Sequence, residues 1–449
     1  MWKPMKIKLA KIKGENIMAK TTFIAAGDAF VTRRLPKGGY EGFPEMKSLI
    51  ESHDVAFLNL ESTFHEREGV PCAVSGGTWA MSDPRTLDDL KEYGFNLFNT
   101  ANNHSCDYSH GGVLATIRNL QERDMIFSGT GKDLGDASKP CYFEAQGTRV
   151  ALISCCSTCD NTARAGAQSA DMPGRPGLNP LRFSKVYHVD QERFDMIQEL
   201  AKVTLINAKM ERSVKNGYAV AVPEGMFAFG AERFKLDDRC FVESVPNKQD
   251  MARIVGEIEN ARKQADVVLI SIHAHECDGV ESNVPAQFLE TFSRTCIDAG
   301  ADVIIGHGPH ELRGIELYKN GLIMYSIGNY IFQTDTVEYQ PWDAYVNKGM
   351  PVDTKVAAYM DKRSNNGTTG YGVLPEIWNA VMPSWTMEDG KLTELKLYPI
   401  ELGQKLSRWQ KGCPVLSGSE ETLQYLADLS KPYGTQIEIR DGVGYVKLK

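Results

Sequence analysis

The sequence predicts an α/β fold, and three observations support that prediction. Short apolar runs rich in β-branched residues recur along the chain, and several are continuous enough for strands buried on both faces. Amphipathic stretches with helical periodicity lie between them. The 449 residues include 42% apolar and 24% charged residues, close to the averages of folded proteins. Alternating strands and helices favour an α/β domain, whose site is expected where the carboxyl ends of the strands meet loops.

Seven apolar runs are predicted as strands, and each ends in polar residues. In chain order they are TTFIAAGD, ending at Asp28; DVAFLNLE, ending at Glu61; YGFNLFNTANNH, ending at His104; RVALISCC, ending near Cys155; ADVVLISIHAHE, ending at residues 273–276; GADVIIGHGPH, ending at residues 307–310; and GLIMYSIGNYIF, ending around Asn329. Because the carboxyl ends of parallel strands meet at one edge of a sheet, the polar ends are expected to lie together.

Three of the intervening segments are predicted as helices: GGVLATIRNLQER, MARIVGEIENARKQA and PAQFLETFSRTCIDAG. The first places four apolar side chains on one face, namely Val113, Leu114, Ile117 and Leu120. The third ends at Gly300, because glycine commonly follows the last residue of a helix. These segments supply the helical half of the predicted α/β alternation.

The chain is predicted to contain one large domain and two smaller segments. Residues 1–20 are basic without the apolar core of a secretory signal, which predicts a disordered tail or a start upstream of the functional one at Met18. Residues 21–400 form the main domain, in which residues 157–250 are a long insertion that could cap a substrate. Residues 401–449 predict a C-terminal α+β appendage, a helix followed by a hairpin turning at RDGVG.

The composition excludes several functional classes. A net charge of −8 argues against a general surface for nucleic acid or anionic lipid, and no apolar run approaches the roughly 20 residues that span a bilayer. Ten cysteines without a secretion signal indicate a reducing compartment, so a cytoplasmic location is expected. The lone CxxC at Cys156 and Cys159 lacks the second pair that a four-thiolate zinc site requires, and free thiols are the favoured interpretation.

The polar strand ends contain the donors of a transition-metal site. The candidates are Asp28, Glu61, Asn103, His104, His273, His275, His307 and His310, with Asn329 as an outer member. Carboxylates, an amide oxygen and imidazoles suit divalent Mn, Fe or Zn, and two such ions can activate a water and clamp a phosphoryl group. Each residue alone also has a structural explanation, such as a turn, a cap or a buried histidine. Five of the nine histidines lie in NNH, HAHE and GHGPH, and this clustering favours the metal site.

Two details of these motifs stay open. His273 and His275 share a face if the strand is regular, but only His273 is expected to reach the pocket if the strand ends between them. Asp107 could orient His104 or cap the following helix, and the cap is the favoured single role. Glycines follow Asp107 closely in the sequence and would let that helix start near the sheet.

The motif series resembles the CapA family, named for poly-γ-glutamate capsule synthesis and similar to the calcineurin-like metallophosphoesterases. The stretches that carry the resemblance run in order from about residue 22 to 335: GDAF, NLEST, ANNHSCDYSHGGVLATI, GTGKDLGDASKP, ISIHAHE and DAGADVIIGHGPHELRGIELYKNGLIMYSIGNYIF. The resemblance implies a four-layer α/β/β/α sandwich of the metallo-dependent phosphatase type around a dinuclear centre. By position it implies a first metal carboxylate at Asp28, a bridging carboxylate at Glu61, an amide ligand at Asn103, an acid or transition-state partner at His104, and histidine ligands at His273, His307 and His310.

The sequence departs from the metallophosphoesterase pattern at several positions. Phe30 stands where a histidine ligand is usual, and Glu61 replaces the bridging aspartate. The two closing histidines are spaced by two residues rather than one. HAHE replaces the HWG common in the family, which makes His275 a candidate for the missing ligand. One metal position is therefore expected to be weak, empty or differently ligated.

Two functional hypotheses follow from the resemblance. The first is a metal-dependent hydrolase that acts on a phosphoester or related bond of an anionic substrate, with His104 assisting the leaving group. Arginines of the insertion could bind the anion, with ordinary surface charge as an equal alternative; they are Arg164, Arg175 and Arg182.

The second hypothesis is a non-catalytic polymer-binding or assembly component of capsule synthesis with a vestigial metal site. Family members in capsule synthesis are expected to be membrane-tethered. Because this chain shows no tether, membrane-associated capsule machinery would have to recruit it. A redox or zinc protein built on CCSTC would leave the histidine series unexplained.

Overall fold

The computed structural model describes residues 20–448, so the predicted basic tail at residues 1–20 lies outside the described residues except for its last one. Within residues 20–448 the strands are β1 (Lys20–Phe30), β2 (Val55–Leu60), β3 (Thr63–Phe64), β4 (Met81–Ser82), β5 (Leu97–Asn99), β6 (Ile126–Ser128), β7 (Thr130–Gly131), β8 (Cys141–Ala145), β9 (Thr148–Cys156), β10 (Gly177–Leu178), β11 (Phe183–Val189), β12 (Met226–Phe229), β13 (Glu232–Leu236), β14 (Phe241–Pro246), β15 (Val267–His273), β16 (Val303–His307), β17 (Leu312–Tyr318), β18 (Gly321–Ile327), β19 (Asn329–Phe332), β20 (Asn379–Glu388), β21 (Lys391–Glu401), β22 (Val415–Leu416), β23 (Ile437–Arg440) and β24 (Val443–Val446).

The α-helices of the same residues follow in chain order. They are α1 (Phe43–Glu51), α2 (Thr86–Glu92), α3 (Ser109–Gln121), α4 (Leu134–Ser138), α5 (Gln191–Thr204), α6 (Ala208–Lys215), α7 (Lys248–Arg262), α8 (Gln287–Asp298), α9 (Trp342–Asn347), α10 (Val356–Arg363) and α11 (Glu420–Ser430). The three helices predicted from periodicity correspond to α3, α7 and α8. Among residues 20–448, no helix combines the length and apolar character needed to cross a membrane.

Two sheets make up the centre of the molecule. The larger has the order β23-β24-β21-β20-β1-β2-β5-β6, with β19 beside β1 and β22 beside β21. The smaller has the order β17-β18-β16-β15-β9-β8. Strands β1, β2, β5 and β6 run parallel, as do β9, β15, β16 and β18. The carboxyl ends of these parallel strands carry the polar residues singled out above, because successive βα units place strand ends at one edge of each sheet.

Three apolar clusters show how the sheets and helices pack. One cluster joins the two sheets, with Phe23 of β1 and Leu269 of β15 among its members. A second includes Met46 of α1 with residues of the larger sheet, and a third packs Ile258 of α7 and Phe292 of α8 against the smaller sheet. Each such side chain contributes about 1.5–3 kcal/mol when it leaves water. The predicted mixed α/β fold with strands buried on both faces is confirmed.

The C-terminal segment differs from the predicted appendage. Its hairpin, β23–β24, pairs with β21 and thereby extends the larger sheet. Leu423 and Leu426 of α11 are fully buried in the cluster between the sheets. The predicted helix and hairpin are present as α11 and β23–β24, but the hairpin joins the larger sheet and the helix joins the common core, so the segment is not separate from the main fold.

Two further departures concern helix faces and the insertion. Leu114 of α3 is 44% exposed, whereas Val113 and Leu120 are buried. The buried face of this helix therefore contains fewer of the four predicted apolar residues than their spacing in the sequence suggested. The insertion forms its own sheet, in the order β12-β13-β11-β14, with α5 and α6 preceding β12. Whether this unit caps a substrate stays a prediction.

A close backbone approach at Gly27 places the end of β1 beside the start of β19. A Cβ atom on Gly27 would lie 1.8 Å from the carbonyl oxygen of Gly328, so only glycine fits there. The amide of Asp28 donates to the same carbonyl at 3.1 Å. Asp28 and Asn329 consequently occupy paired positions on neighbouring strands.

Candidate metal centre

Six carboxylate and imidazole side chains converge where the two sheets present their carboxyl ends. Three overlapping groups have ligand atoms within 4.8 Å of one another: Asp28, His273 and His307; Glu61, His273 and His275; Asp28, Glu61 and His310. In the smaller sheet His273 and His307 pair across β15 and β16, which brings their rings side by side. The structure therefore brings together six of the residues that the sequence proposed as metal ligands or possible ligands.

The separations are short enough for shared cations. Asp28 Oδ1 lies 3.4 Å from His307 Nδ1 and 3.6 Å from His273 Nδ1. Glu61 Oε1 lies 3.8 Å from His273 Nε2 and 3.7 Å from His310 Nε2. His273 Nε2 is 3.1 Å from His275 Nε2, although β15 ends at His273. His275 thus reaches the cluster from the loop beyond the strand. The expectation that only His273 would reach the pocket if the strand ended between them was therefore wrong.

Glu61 supplies the clearest sign that the donor set suits metal ions. Both of its carboxylate oxygens are buried and have no hydrogen-bond partner within the described residues. Burial first, and then the charges of Asp28 and Asp107, raise the pKa of Glu61 well above its ordinary value. A buried carboxylate without a donor is costly unless a cation satisfies it. The residues present therefore fit divalent ions.

Neighbouring polar groups fix the orientation of the imidazoles. Ser271 Oγ lies 2.7 Å from His307 Nε2, which leaves Nδ1 facing Asp28. Asn329 Oδ1 lies 2.8 Å from His310 Nδ1, which leaves Nε2 facing Glu61. Such contacts set the tautomer and direction of a histidine ligand. Asn329 therefore lies next to the cluster and contacts His310, and its expected outer role stays a prediction.

His310 has an unusual backbone conformation. Its φ of +64° lies in the left-handed region, where a side chain with a Cβ atom is strained. Asn329 Nδ2 donates to the carbonyl oxygen of His310 at 3.2 Å while its amide oxygen holds the ring. Two bonds from one side chain thus stabilise a conformation that points the imidazole inward.

Burial favours the neutral, metal-binding form of three of the four clustered histidines. Burial, followed by the charge of His310, lowers the pKa of His275 to about 3. Burial likewise lowers the pKa of His273 and of His310. For Asp28, burial would raise the pKa, but the hydrogen bond with His307 and the surrounding imidazoles together lower it below its ordinary value. A charged carboxylate and neutral imidazoles are the ionisation states that bind metal.

The Asn103–His104 motif lies at the border of this cluster. Asn103 Oδ1 is buried without a partner, while its Nδ2 donates to the Gly76 carbonyl at 2.8 Å. His104 Nδ1 lies 2.7 Å from Asp107 Oδ2, and both side chains are buried. Within residues 20–448 no hydrogen bond or ion pair joins Asn103 or His104 directly to the six clustered side chains. Their ligand and acid roles stay predictions.

Asp107 does not have the predicted helix-cap role. Helix α3 begins after Tyr108 with no side-chain cap. The Asp107 carboxylate instead accepts from the amides of Gly76 and Ala80 at 2.9 and 2.8 Å, and contacts His104. The cap prediction was wrong because distant backbone donors, which the local sequence does not reveal, occupy the carboxylate.

Two cavities adjoin the cluster, and both have His275 and Gly76 in their walls. The first, of about 520 Å³, is lined by Asn103, Glu276 and Arg164. The second, of about 450 Å³, is lined by His104, His310, Tyr371 and Arg363. Phe30 forms part of its wall and packs edge-on against His104, with 5.1 Å between ring centroids. The position that usually carries a histidine ligand is therefore an apolar wall of this cavity.

The three arginines predicted to bind an anion have different environments. Arg182 forms a two-pronged ion pair with Asp250, at 2.8 and 2.9 Å, although it lines the first cavity. Arg175 Nε donates to the backbone carbonyl of Arg164 at 3.1 Å. Arg164 Nε is buried without a partner within the described residues. Of the three, Arg164 has the guanidinium most suited to an external anion.

Sequence reasoning missed an asparagine chain behind the centre. Asn59 Nδ2 donates to Asp28 Oδ1 at 2.6 Å, and Asn59 Oδ1 accepts from Asn99 Nδ2 at 2.5 Å and from Asn102 Nδ2 at 3.3 Å. All three asparagines are buried. The signal that could have revealed Asn59 is its polarity inside the otherwise apolar run VAFLNL, which is buried along its whole length.

The CxxC thiols are free in the structure. Cys156 and Cys159 form no disulfide, and the metal-binding groups found among the described residues contain no cysteine. Burial, followed by contact with Cys159, raises the pKa of the Cys156 thiol well above its ordinary value. The preference for free thiols over a zinc site agrees with this arrangement.

Comparisons with known proteins place this geometry in a family. The profile of the family described as "Bacterial capsule synthesis protein PGA_cap" matches residues 22–334. The "Uncharacterized protein y4sH" of Sinorhizobium fredii is 33% identical over 446 residues, which cover 96% of this chain and 94% of that protein. The "PGA biosynthesis protein CapA" of Bacillus subtilis is 26% identical over 327 residues, covering 70% of this chain and 65% of that protein.

One solved structure gives a more distant likeness. A putative 5'-nucleotidase from Staphylococcus aureus, crystallised with alpha-ketoglutarate, aligns with a TM-score of 0.38 and 10% identity over 92% of this chain and 58% of that one. The family profile covers both the six-residue cluster and the Asn103–His104 motif, and it does so along most of the chain. The chain therefore belongs to the bacterial capsule synthesis protein family PGA_cap.

Proposed function

We propose that this protein is a metal-dependent hydrolase that acts on a phosphoester or a related bond of an anionic substrate. The observation that carries the proposal is the pair of buried, unpartnered Glu61 oxygens among four imidazoles and Asp28. Two divalent ions, Mn, Fe or Zn, would supply Lewis-acid activation of a water and neutralisation of the substrate's charge. The family relationship supports an anionic capsule polymer such as poly-γ-glutamate as the biological context.

The packing of the chain supports the same assignment. Helices α1 and α7–α8 contribute to clusters on the outer faces of two sheets whose inner faces share a third cluster. This order of layers is that of a four-layer α/β/β/α sandwich of the metallo-dependent phosphatase type, which we propose as the fold. In such an arrangement the metal centre lies at the carboxyl ends of strands from both sheets.

The six clustered residues divide into two ligand sets. Asp28, His273 and His307 would hold one ion. Glu61, His275 and His310 remain for a second, with 5.5 Å between the ring centroids of the last two. Glu61 also approaches His273, so its carboxylate is suited to the bridging position that the family resemblance implies. Asn103, with its unpartnered amide oxygen, is the candidate for an additional ligand.

His104 and Asp107 would handle the proton of the leaving group. Asp107 Oδ2 accepts from His104 Nδ1, so Nε2 is the ring atom left for proton transfer. His104 lines the second cavity, where a leaving group can meet it. The apolar edge of Phe30 against the ring limits the access of water on that side. The pair would thereby hold a proton at Nε2 and deliver it as the bond breaks.

Metal stoichiometry tests the proposal directly. Protein purified without chelator under reducing conditions is expected to contain about two equivalents of Mn, Fe or Zn. A His273→Ala/His307→Ala variant is expected to lose metal, because these residues supply most of one ligand set and His273 contacts both. Elemental analysis checks both samples. Absence of metal from the wild-type protein, even after reloading, would contradict the hydrolase.

The buried Nε of Arg164, which has no hydrogen-bond partner within the described residues, predicts an effect on substrate affinity. Arg164→Met is expected to raise KM for an anionic phosphoester about tenfold or more with little change in kcat, because a charge-assisted bond contributes about 1.5–3 kcal/mol. Arg175→Met is the matched control in the same insertion. Steady-state kinetics with bis(p-nitrophenyl) phosphate gives both constants. Equal KM values for Arg164→Met and wild type would exclude Arg164 as the anion site.

Phe30 favours a second candidate function, a polymer-binding or assembly component with a vestigial metal site. The expected histidine ligand is absent there, and an apolar ring fills the wall. Under this alternative the wild-type protein binds fewer than two metal ions and does not hydrolyse phosphoesters such as bis(p-nitrophenyl) phosphate. Metal content and turnover measured on one preparation therefore separate the two functions.

A further inference from the structure

Arg313 is a fully buried arginine whose charge has no ion-pair partner within residues 20–448. It is the second residue of β17, the edge strand of the smaller sheet, and is 0% exposed. Burial, the largest influence, lowers the pKa of Arg313 to about 10. The charges of Glu276 and Glu311 act on Arg313 from beyond ion-pair distance, so no direct carboxylate contact within residues 20–448 offsets the cost of burying this guanidinium.

The guanidinium donates to backbone carbonyls around the HAHE motif. Nη1 donates to Ala274 O at 3.2 Å, Nη2 donates to His275 O at 3.1 Å, and Nε donates to Ser282 O at 2.8 Å. Two of these three acceptors belong to the short segment that carries His275 beyond the end of β15. The planar fork of arginine can reach these carbonyls together, whereas a lysine ammonium has no such geometry.

Two further hydrogen bonds hold the backbone of the segment that carries His275. The amide of His275 donates to Thr158 Oγ1 at 2.7 Å, and the amide of Ala274 donates to His307 O at 2.9 Å. The His275 backbone is consequently held from its N–H by Thr158 and from its C=O by Arg313. No regular strand pairing continues past His273, so these side-chain contacts replace the sheet hydrogen bonds that would otherwise fix the chain.

We propose that Arg313 is a positioning residue that holds His275 in place as a ligand of the second metal ion. This inference rests on the proposed metal centre and deepens it. Without the guanidinium, two buried carbonyls lose their donors and the His275 segment is free to turn away from Glu61 and His310. Asp28, His273 and His307 lie on strands β1, β15 and β16 and have supports other than Arg313, so the first ion does not depend on Arg313.

The test compares metal binding by Arg313→Met, Arg313→Lys and the wild type, each as the full chain reloaded with Mn²⁺. Wild type is expected to bind two equivalents. Arg313→Met is expected to retain one tight equivalent and to bind the second 10–100-fold more weakly, the usual effect of removing a supporting contact around a ligand. Arg313→Lys is expected to fall between them. The spin-coupled electron paramagnetic resonance signal of paired Mn²⁺ should decline in the same order.

A matched control separates positioning from general loss of an arginine. Arg294 pairs with Glu316 and lies away from the centre, so Arg294→Met should bind two equivalents with unchanged affinity. Circular dichroism establishes that each variant is folded. Because Arg313→Met could fail to fold, Arg313→Lys, which keeps the charge, then decides the question.

The outcomes are distinguishable. Two equivalents with wild-type affinity in folded Arg313→Met and Arg313→Lys would overturn this inference alone. Loss of both ions, or failure of both variants to fold, would also overturn it, because the residue would then support the fold as a whole. A wild-type protein that binds no metal would instead overturn the proposed function itself.

Discussion

Glu61→Gln is expected to stabilise the metal-free protein and to weaken its stabilisation by metal. The two Glu61 oxygens are buried without donors, and Asp28 adds like-charge repulsion. Replacing the carboxylate by a neutral amide of the same size removes that penalty, so the free energy of unfolding should rise by about 1–3 kcal/mol at pH 7. A residue retained for packing would show the reverse.

The pH dependence of this difference has a defined sign. The pKa of Glu61 is raised above its ordinary value in the folded, metal-free protein, mainly by burial. The folded state then binds more protons than the unfolded state above about pH 4.5, the unfolded value, so its stability falls as pH rises towards the folded pKa. Glu61→Gln lacks this titration. The stability gap between variant and wild type should therefore widen from pH 5 to pH 7.

Metal should offset this difference. At a free Mn²⁺ concentration of 100 times Kd, each occupied site stabilises the protein by about 2.7 kcal/mol, and the wild type gains this at the site that needs Glu61 whereas the variant does not. Urea denaturation with and without chelator measures both effects. Glu316→Gln is the matched control, because Glu316 is also buried but is bonded to Arg294 and Tyr325, and its replacement should destabilise the protein. Destabilisation of the metal-free protein by Glu61→Gln would contradict the interpretation.

The strand ends account for most of what the sequence could predict. Asp28 and His307 could be placed at one site because each follows an apolar run whose burial on both faces implies a parallel strand. Parallel strands bring their carboxyl ends together whatever the loops do. The sheet order, and hence which strand end adjoins which, depends on long-range pairing that no local pattern records.

Contacts between distant segments account for what could not be predicted. Arg313 acts on the His275 segment from another strand, and Asp107 is occupied by the amides of Gly76 and Ala80 rather than by the helix beside it. Local propensity favours the cap, but two backbone donors from a distant segment outweigh it. The burial of Leu423 between the two sheets could not be predicted either. The amphipathic spacing of a helix shows which of its faces is buried but not against which other elements it packs.

His104→Ala is expected to lower kcat by 10²–10⁴ without changing metal content, because it removes the proton donor and none of the six clustered ligands. The loss should depend on the leaving group. An ester that releases p-nitrophenolate needs little protonation and should lose least, whereas a phenyl or alkyl ester should lose most. Kinetics with such a series, alongside elemental analysis, checks both statements.

Asp107→Asn should show the same selectivity at a smaller scale. With Nδ1 donating to Asp107, a proton at Nε2 makes the ring an imidazolium, and a neutral amide would no longer balance that charge, so kcat should fall about 10–100-fold for poor leaving groups. Asp107 also accepts from two backbone amides, and a lower melting temperature alone would report that structural role. The discriminating readout is therefore the leaving-group dependence. An equal loss for p-nitrophenyl and alkyl esters in both variants would show that the pair positions the substrate and does not protonate the leaving group.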